Sequence, residues 1–145
     1  MDYANNKKAF FNYEIEEKIT AGIELLGFEV KSIRKGSANL AGSYVKIYDN
    51  EAWLVNCSIP PFQEKNTPLP YDKERSRKLL LKKDEIRRLL GKLQEKGLTI
   101  VPIKLYNIRG KIKIELGLGK AKKEKDKRET IKKRDIQKSM RRGLE

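Results

Sequence analysis

Histidine is absent from the 145 residues, which removes the side chain that most often moves protons near neutral pH. With it go histidine metal sites and any Ser-His-Asp or Cys-His arrangement. A single cysteine, Cys57, excludes a disulfide framework within the chain and a thiolate cage for a metal. No stretch approaches the ~18 consecutive apolar residues of a membrane span. Residues 1–8 run into mixed polar sequence without an apolar signal core. The expectation is a cytoplasmic protein with reduced thiol chemistry and no membrane partner. Proline is scarce, and four of the five lie between residues 60 and 76, a long loop of the functional or mobile kind.

Positive charge is abundant. Thirty-four Lys and Arg oppose twenty Asp and Glu, a formal net charge of +14. Residues 119–145 hold twelve of the bases and five of the acids, so half the excess lies in the last fifth of the chain. A folded domain over 1–118 with a basic tail over 119–145 is the pattern of a protein that meets a polyanion, most commonly nucleic acid. The tail has no Trp, Phe or Tyr with which to enter an anionic bilayer.

Periodicity places the folded part. Phe11, Tyr13 and Ile15 alternate with Asn12, Glu14 and Glu16, predicting a half-buried strand over 11–19. Residues 28–33 fit a strand end or a short helix equally. Ser43–Tyr48 and Ala52–Ile59 form a hairpin about Asp49-Asn50, which tolerates positive φ. Asp84 is placed to cap a helix whose Ile86, Leu89, Leu90 and Leu93 share one face, with Gly97 as its left-handed stop. Leu98–Tyr106 and Lys111–Leu118 form a second hairpin. Lys120–Lys133 holds one aliphatic residue, Ile131, and is expected to be disordered when free. Ile136, Met140 and Leu144 recur every four residues, so the tail has the pattern of a helix formed on a surface. The expected fold is mostly β with flanking helices, an OB-like barrel, with a ferredoxin-like sandwich as the alternative.

Chemistry-bearing constellations are few. Glu16 and Glu17 point to opposite sides of a strand, and Asp84-Glu85 sit where a helix N-terminus favours acids; neither pair makes a metal nuclease. No phosphate-cradling glycine loop has the required spacing. Neither catalysis nor a cofactor or metal is expected. Cys57 reads as a small buried thiol. Trp53, Tyr44 and Tyr48 fall on one hairpin face, for which core packing or a second small cluster is favoured over base stacking. Arg75-Ser76-Arg77-Lys78 abuts Leu79-Leu80-Leu81. Such a run can set guanidinium groups on phosphates while an exposed leucine packs on an unstacked base; a solvated turn before a buried apolar run fits equally. Lys82-Lys83, Arg87-Arg88, Lys7-Lys8 and Lys31/Arg34/Lys35 extend the basic surface.

Three segments together resemble a known family. Gly27-Phe28-Glu29-Val30-Lys31-Ser32-Ile33-Arg34, Arg75-Ser76-Arg77-Lys78-Leu79-Leu80-Leu81 and Asp126-Lys127-Arg128 after a Lys-rich lead, in this order and spacing, are similar to small protein B, the bacterial partner of transfer-messenger RNA in trans-translation. The resemblance runs from about Asn6 to Arg134. It implies an OB-like barrel that clasps the tRNA-like end of transfer-messenger RNA and carries it into the vacant A site of a stalled ribosome. It further implies a tail that folds as a helix near the decoding centre and in the mRNA channel. By the same resemblance Asn6, Lys7, Gly22, Lys31, Arg75, Arg77, Lys78 and Leu80 bind the RNA. Lys122, Lys123, Lys125, Asp126, Lys127, Arg128, Lys132, Lys133 and Arg134 serve the ribosome. Thr20 stands where many members have an acid, Lys125 where His or Tyr is common, and Ile136 where the tail often has an aromatic. A resident ribosomal or assembly protein of OB type is the alternative function.

Overall fold

The computed structural model describes residues 2–63, 70–123, 127–128 and 131–132. The elements follow in the order β1 (Asp2–Asn5), α1 (Ala9–Asn12), β2 (Tyr13–Ile23), α2 (Gly27–Arg34), β3 (Tyr44–Tyr48), β4 (Glu51–Val55), β5 (Arg77–Leu80), α3 (Lys83–Lys96), β6 (Thr99–Ile108) and β7 (Lys111–Ala121). The strands form one seven-stranded sheet, β1-β6-β7-β2-β5-β4-β3, in which every pairing is antiparallel.

Both hairpins turn where residues adopt positive φ. Asp49 (φ 50°) and Asn50 (φ 59°) join β3 to β4, and Arg109 (φ 50°) and Gly110 (φ 78°) join β6 to β7. Such paired left-handed residues match the twist of the strands they connect. Gly97, at φ 62°, ends α3 as its spacing predicts. The N-terminus of α3 differs from expectation. Its cap is Lys82, whose backbone N–H donates to the Glu85 carboxylate at 3.0 Å, so Asp84 lies inside the helix. Phe11 belongs to the short α1, and β2 starts at Tyr13. Residues 27–34 resolve as a helix because Glu29, Ser32 and Ile33, spaced i, i+3, i+4, are all buried on one side.

The expected barrel is corrected to an open sheet. Its edge strands, β1 and β3, each pair with a single neighbour and not with each other. The sheet curls enough to bring β3 near β6, but Ile33 of α2, Leu40 and Leu89 of α3 occupy the inner side with Ala21, Leu54, Leu79, Leu105 and Ile114. Packing helices against the inner face buries the core without a closing strand pair. On the outer face, at the α1 end only, a second small cluster of Ala9, Val101 and Ile103 packs with Tyr13 and Ile15.

The sheet continues past residue 118. Gly119 pairs with both Ile15 and Thr99, and Lys122 N–H donates to the Asn12 carbonyl at 2.8 Å. A Cβ at Gly119 would run into the Glu14 carbonyl oxygen, so glycine is what lets β7 and β2 approach there. Beyond it, Lys127, Arg128, Ile131 and Lys132 are helical. The expected Ile136/Met140/Leu144 stripe lies outside the described residues, as do Lys125, Asp126, Lys133 and Arg134.

Candidate nucleic-acid interface

Strand alternation divides the basic cluster at 75–78. In β5, Arg77 pairs with Leu54 and Leu79 with Ala52 and Ile23, all inward residues, whereas Lys78 pairs with Trp53 and Leu80 with Gly22. Successive side chains of a strand face opposite sides. Arg77 is therefore 0% exposed and Leu80 50% exposed. The expectation that Arg77 contacts RNA is corrected: its guanidinium is enclosed in the protein.

Arg77 is held by a network centred on Glu29, which is likewise 0% exposed. Arg77 Nε donates to Glu29 Oε2 at 2.8 Å, Nη1 to the carbonyls of Cys57 and Arg75 at 2.7 and 3.1 Å, and Nη2 to the Tyr71 hydroxyl and the Lys73 carbonyl at 3.1 and 3.0 Å. All five guanidinium N–H groups are thus used. Arg75 forms a second ion pair with Glu29 from the rim, and Leu26 N–H donates to Glu29 Oε1 at 2.8 Å. Tyr71 Oη lies 2.9 Å from Glu29 Oε2 and 2.8 Å from the Ile59 carbonyl, and its ring packs edge-on against Phe28. Burial pushes the Glu29 carboxyl up, but hydrogen bonds from Arg75, Leu26 and Arg77 and the Arg77 charge outweigh it and hold the pKa below the ordinary 4.5. Burial, with the Glu29 hydrogen bond and charge, pushes the Tyr71 phenol up to about 12. The network clamps α2, β5 and the end of the 60–76 loop together. Arg75 joins the network from the rim, with its side chain 31% exposed.

What remains outward forms rows across the sheet. One row runs Leu80, Gly22, Lys113, Tyr106 through directly paired positions of β5, β2, β7 and β6. The adjacent row runs Thr20, Glu115, Lys104. Thr20 Oγ1 and Tyr106 Oη hydrogen bond at 2.8 Å across the two rows, and Lys104 Nζ sits 3.5 Å from Glu115 Oε2 and 5.1 Å from the Tyr106 ring centroid. A Cβ at Gly22 would lie 3.1 Å from Leu80 Cβ and 3.5 Å from Lys113 Nζ. Gly22 thus leaves a shallow floor beside an exposed leucine and an ammonium. Lys113 makes no ion pair among the described residues.

The anticipated RNA residues do not all meet. Gly22, Lys78 and Leu80 share the outer face. Lys31 projects from α2, on the inner side, with its ammonium 6.0 Å from the Phe62 ring centroid. Asn6 is a fastener, since its Nδ2 donates to the Pro102 carbonyl at 2.9 Å and its N–H to that of Ile103 at 2.7 Å; Lys7 beside it is exposed. Sequence reasoning passed over Lys113 and Tyr106, whose alternation within Lys111–Leu118 and Leu98–Tyr106 was the available signal. It also passed over Glu29, which shares a helical face with Ser32 and Ile33. Cys57 is fully buried as expected, and burial pushes its thiol up to about 11.

An antiparallel sheet with lysines, a leucine and an aromatic on one solvent face has the build of a surface that takes up RNA. A model of the family described as SmpB protein matches residues 3–145, and the chain belongs to that family. It is 48% identical over 141 residues to the SsrA-binding protein of Trichodesmium erythraeum, covering 97% of this chain and 90% of that protein. It is 54% identical over 137 residues to the SsrA-binding protein of Chlorobaculum tepidum, covering 94% and 87%. A solved structure described as "tmRNA-SmpB: a journey to the center of the bacterial ribosome" superposes with a TM-score of 0.66 at 49% identity, over 83% of this chain and 84% of that one.

Proposed function

We propose that this chain is an RNA-binding adaptor that binds the tRNA-like domain of transfer-messenger RNA and delivers it to the A site of stalled ribosomes. Membership of the SmpB family over residues 3–145 carries the reading. The relatives named as SsrA-binding proteins favour it over a resident ribosomal protein of OB type. The protein works in the cytoplasm without cofactor or metal.

The outer face is the RNA surface. Lys113 and Lys78 meet phosphates, Leu80 packs against an unstacked base or a ribose, and Gly22 admits the backbone closely. The Thr20–Tyr106 pair presents hydroxyls where an acid would present a carboxylate, and hydroxyls reach ribose 2′-OH groups as both donor and acceptor. Lys122, Lys123, Lys125, Asp126, Lys127, Arg128, Lys132, Lys133 and Arg134 form the part that enters the decoding centre and the mRNA channel.

Gel-shift competition between transfer-messenger RNA and bulk tRNA tests the reading, with preference for the former expected. With six to ten phosphates neutralised, affinity falls roughly 10³- to 10⁵-fold between 50 and 200 mM salt on duplex-like RNA. Removing residues 124–145, which leaves the sheet whole, preserves this binding and abolishes tagging of stalled peptides. Equal affinity for both RNAs, or loss of RNA binding together with tagging, overturns the proposal.

A further inference from the structure

The hairpin of β3 and β4 leaves an aromatic surface uncovered. The sequence favours core packing or a second small cluster for Tyr44, Tyr48 and Trp53, yet Tyr44 is 47% and Tyr48 68% exposed. The alternation explains it: Val45, Ile47, Ala52 and Leu54 turn inward, so Tyr44, Lys46, Tyr48 and Trp53 turn outward. Trp53 is directly paired with Lys46 on one side and Lys78 on the other. The indole therefore lies between two lysines in a single row across β3, β4 and β5. Tyr44 and Tyr48 sit two residues either side of Lys46, diagonal to Trp53 and within reach of it. Lys46 Nζ lies 5.7 Å from the Tyr48 ring centroid. Lys46, Tyr48, Trp53, Val55 and Ser76 line a depression of about 280 Å³, near the lower end for a small-ligand site at ~300 Å³.

We propose that this face is a stacking platform for an unpaired RNA base. The base lies on Trp53 and Tyr48, and the ammonium groups of Lys46 and Lys78 take the flanking phosphates. Three observations select RNA as the occupant. The rings of Tyr44 and Tyr48 are exposed and that of Trp53 is half-buried, and Val55 is the one aliphatic residue of the lining, too little to receive a protein helix. The row is lysine–indole–lysine, complementary to a phosphate–base–phosphate unit. The surface is also continuous through β5 with the Leu80–Gly22–Lys113 row, so one RNA reaches both. Lys78 keeps its ion pair with Glu51, 3.2 Å away, only until a phosphate competes for it. The inference rests on the RNA-adaptor reading and adds to it a second, separable contact.

Trp53 is the only tryptophan, so the unmodified full chain reports on its own platform. A hairpin RNA with one bulged nucleotide, titrated against the same hairpin fully paired, is expected to quench Trp53 fluorescence only when the bulge is present. Tyr44→Ala/Tyr48→Ala is expected to weaken binding of the tRNA-like domain of transfer-messenger RNA roughly 5- to 150-fold, the loss of one stacked base. Tyr48→Phe retains the affinity. Equal quenching by both hairpins, or unchanged affinity of the folded double variant, overturns the platform while the adaptor reading stands. Failure of the unmodified chain to bind the tRNA-like domain overturns the reading itself. Loss of ribosome association with RNA affinity unchanged identifies the face as a protein contact and also overturns the platform.

Discussion

Replacing Glu29 by glutamine keeps the side-chain volume and removes the charge that two arginines share. Arg75 can turn to water from its place at the rim, but Arg77 cannot, since it is fully buried. Its guanidinium would stay among neutral acceptors, the carbonyls of Cys57, Lys73 and Arg75 and the Tyr71 hydroxyl. Breaking a buried pair by removing one partner costs about 3–5 kcal/mol, a large share of the ~5–15 kcal/mol that holds a typical domain folded. With a urea slope near 2 kcal/mol per molar, the midpoint falls by roughly 1.5–2.5 M. Trp53 fluorescence follows the transition. Glu29→Gln with Arg77→Met recovers part of the loss, because no lone charge remains inside. Recovery stops short of the parent because three carbonyls lose their donors. The pH dependence has a fixed sign. The Glu29 pKa is lower in the folded state than the ordinary 4.5, so its contribution is complete above that value. It drains away as pH falls through the folded pKa. Acid sensitivity below pH ~4.5 is therefore blunter in Glu29→Gln than in the parent. A midpoint shift under about 0.3 M, or an unchanged acid profile, would refute the view that this network clamps α2 to β5.

Three other outcomes are expected. Gly119→Ala forces β7 away from the Glu14 backbone and destabilises the fold by about 1–3 kcal/mol in urea, more than alanine at Gly91, where a Cβ meets nothing within 4 Å. Gly22→Ala presses on Leu80 at 3.1 Å; Leu80 is exposed and moves aside, so transfer-messenger RNA affinity falls at least several-fold in gel shifts while the urea midpoint changes little. Cys57, buried and with its thiol pushed up to about 11, resists iodoacetamide at pH 8 in the native state and reacts at the rate of a free thiol in urea; rapid native labelling would contradict its place in the core.

Both hairpins and the α3 stop at Gly97 were legible in the sequence because each is decided locally by turn chemistry, whereas Leu80 was named only through the family resemblance. Leu79 and Leu80 differ only in phase, yet that phase was enough to leave one leucine outside. Arg77 was misread for the opposite reason. A run of Arg-Ser-Arg-Lys looks solvated until a buried acid 48 positions away is known to receive one of its members, and no local pattern reports that distance. The barrel was over-read in the same way. Strand count and edge protection favoured closure, whereas Ile33, Leu40 and Leu89 fill the inner side instead. Residue type favoured the core or a second small cluster for the tyrosines of β3, though the Val45/Ile47 pair already claimed the inward positions. The rows on the outer face depend on the register of β2 against both β5 and β7, a long-range property that composition does not carry.

Because Arg77 and Lys78 are adjacent and serve opposite sides of β5, their two tasks are locked to a single reading frame. A change of residue type at either position leaves that frame in place. An insertion or deletion of one residue within 77–80 would do something else: it would expose the clamp and bury the proposed RNA contact in one event. The short strand thus tolerates substitution by degrees but length change not at all, a constraint that conservation of residue type alone would never disclose.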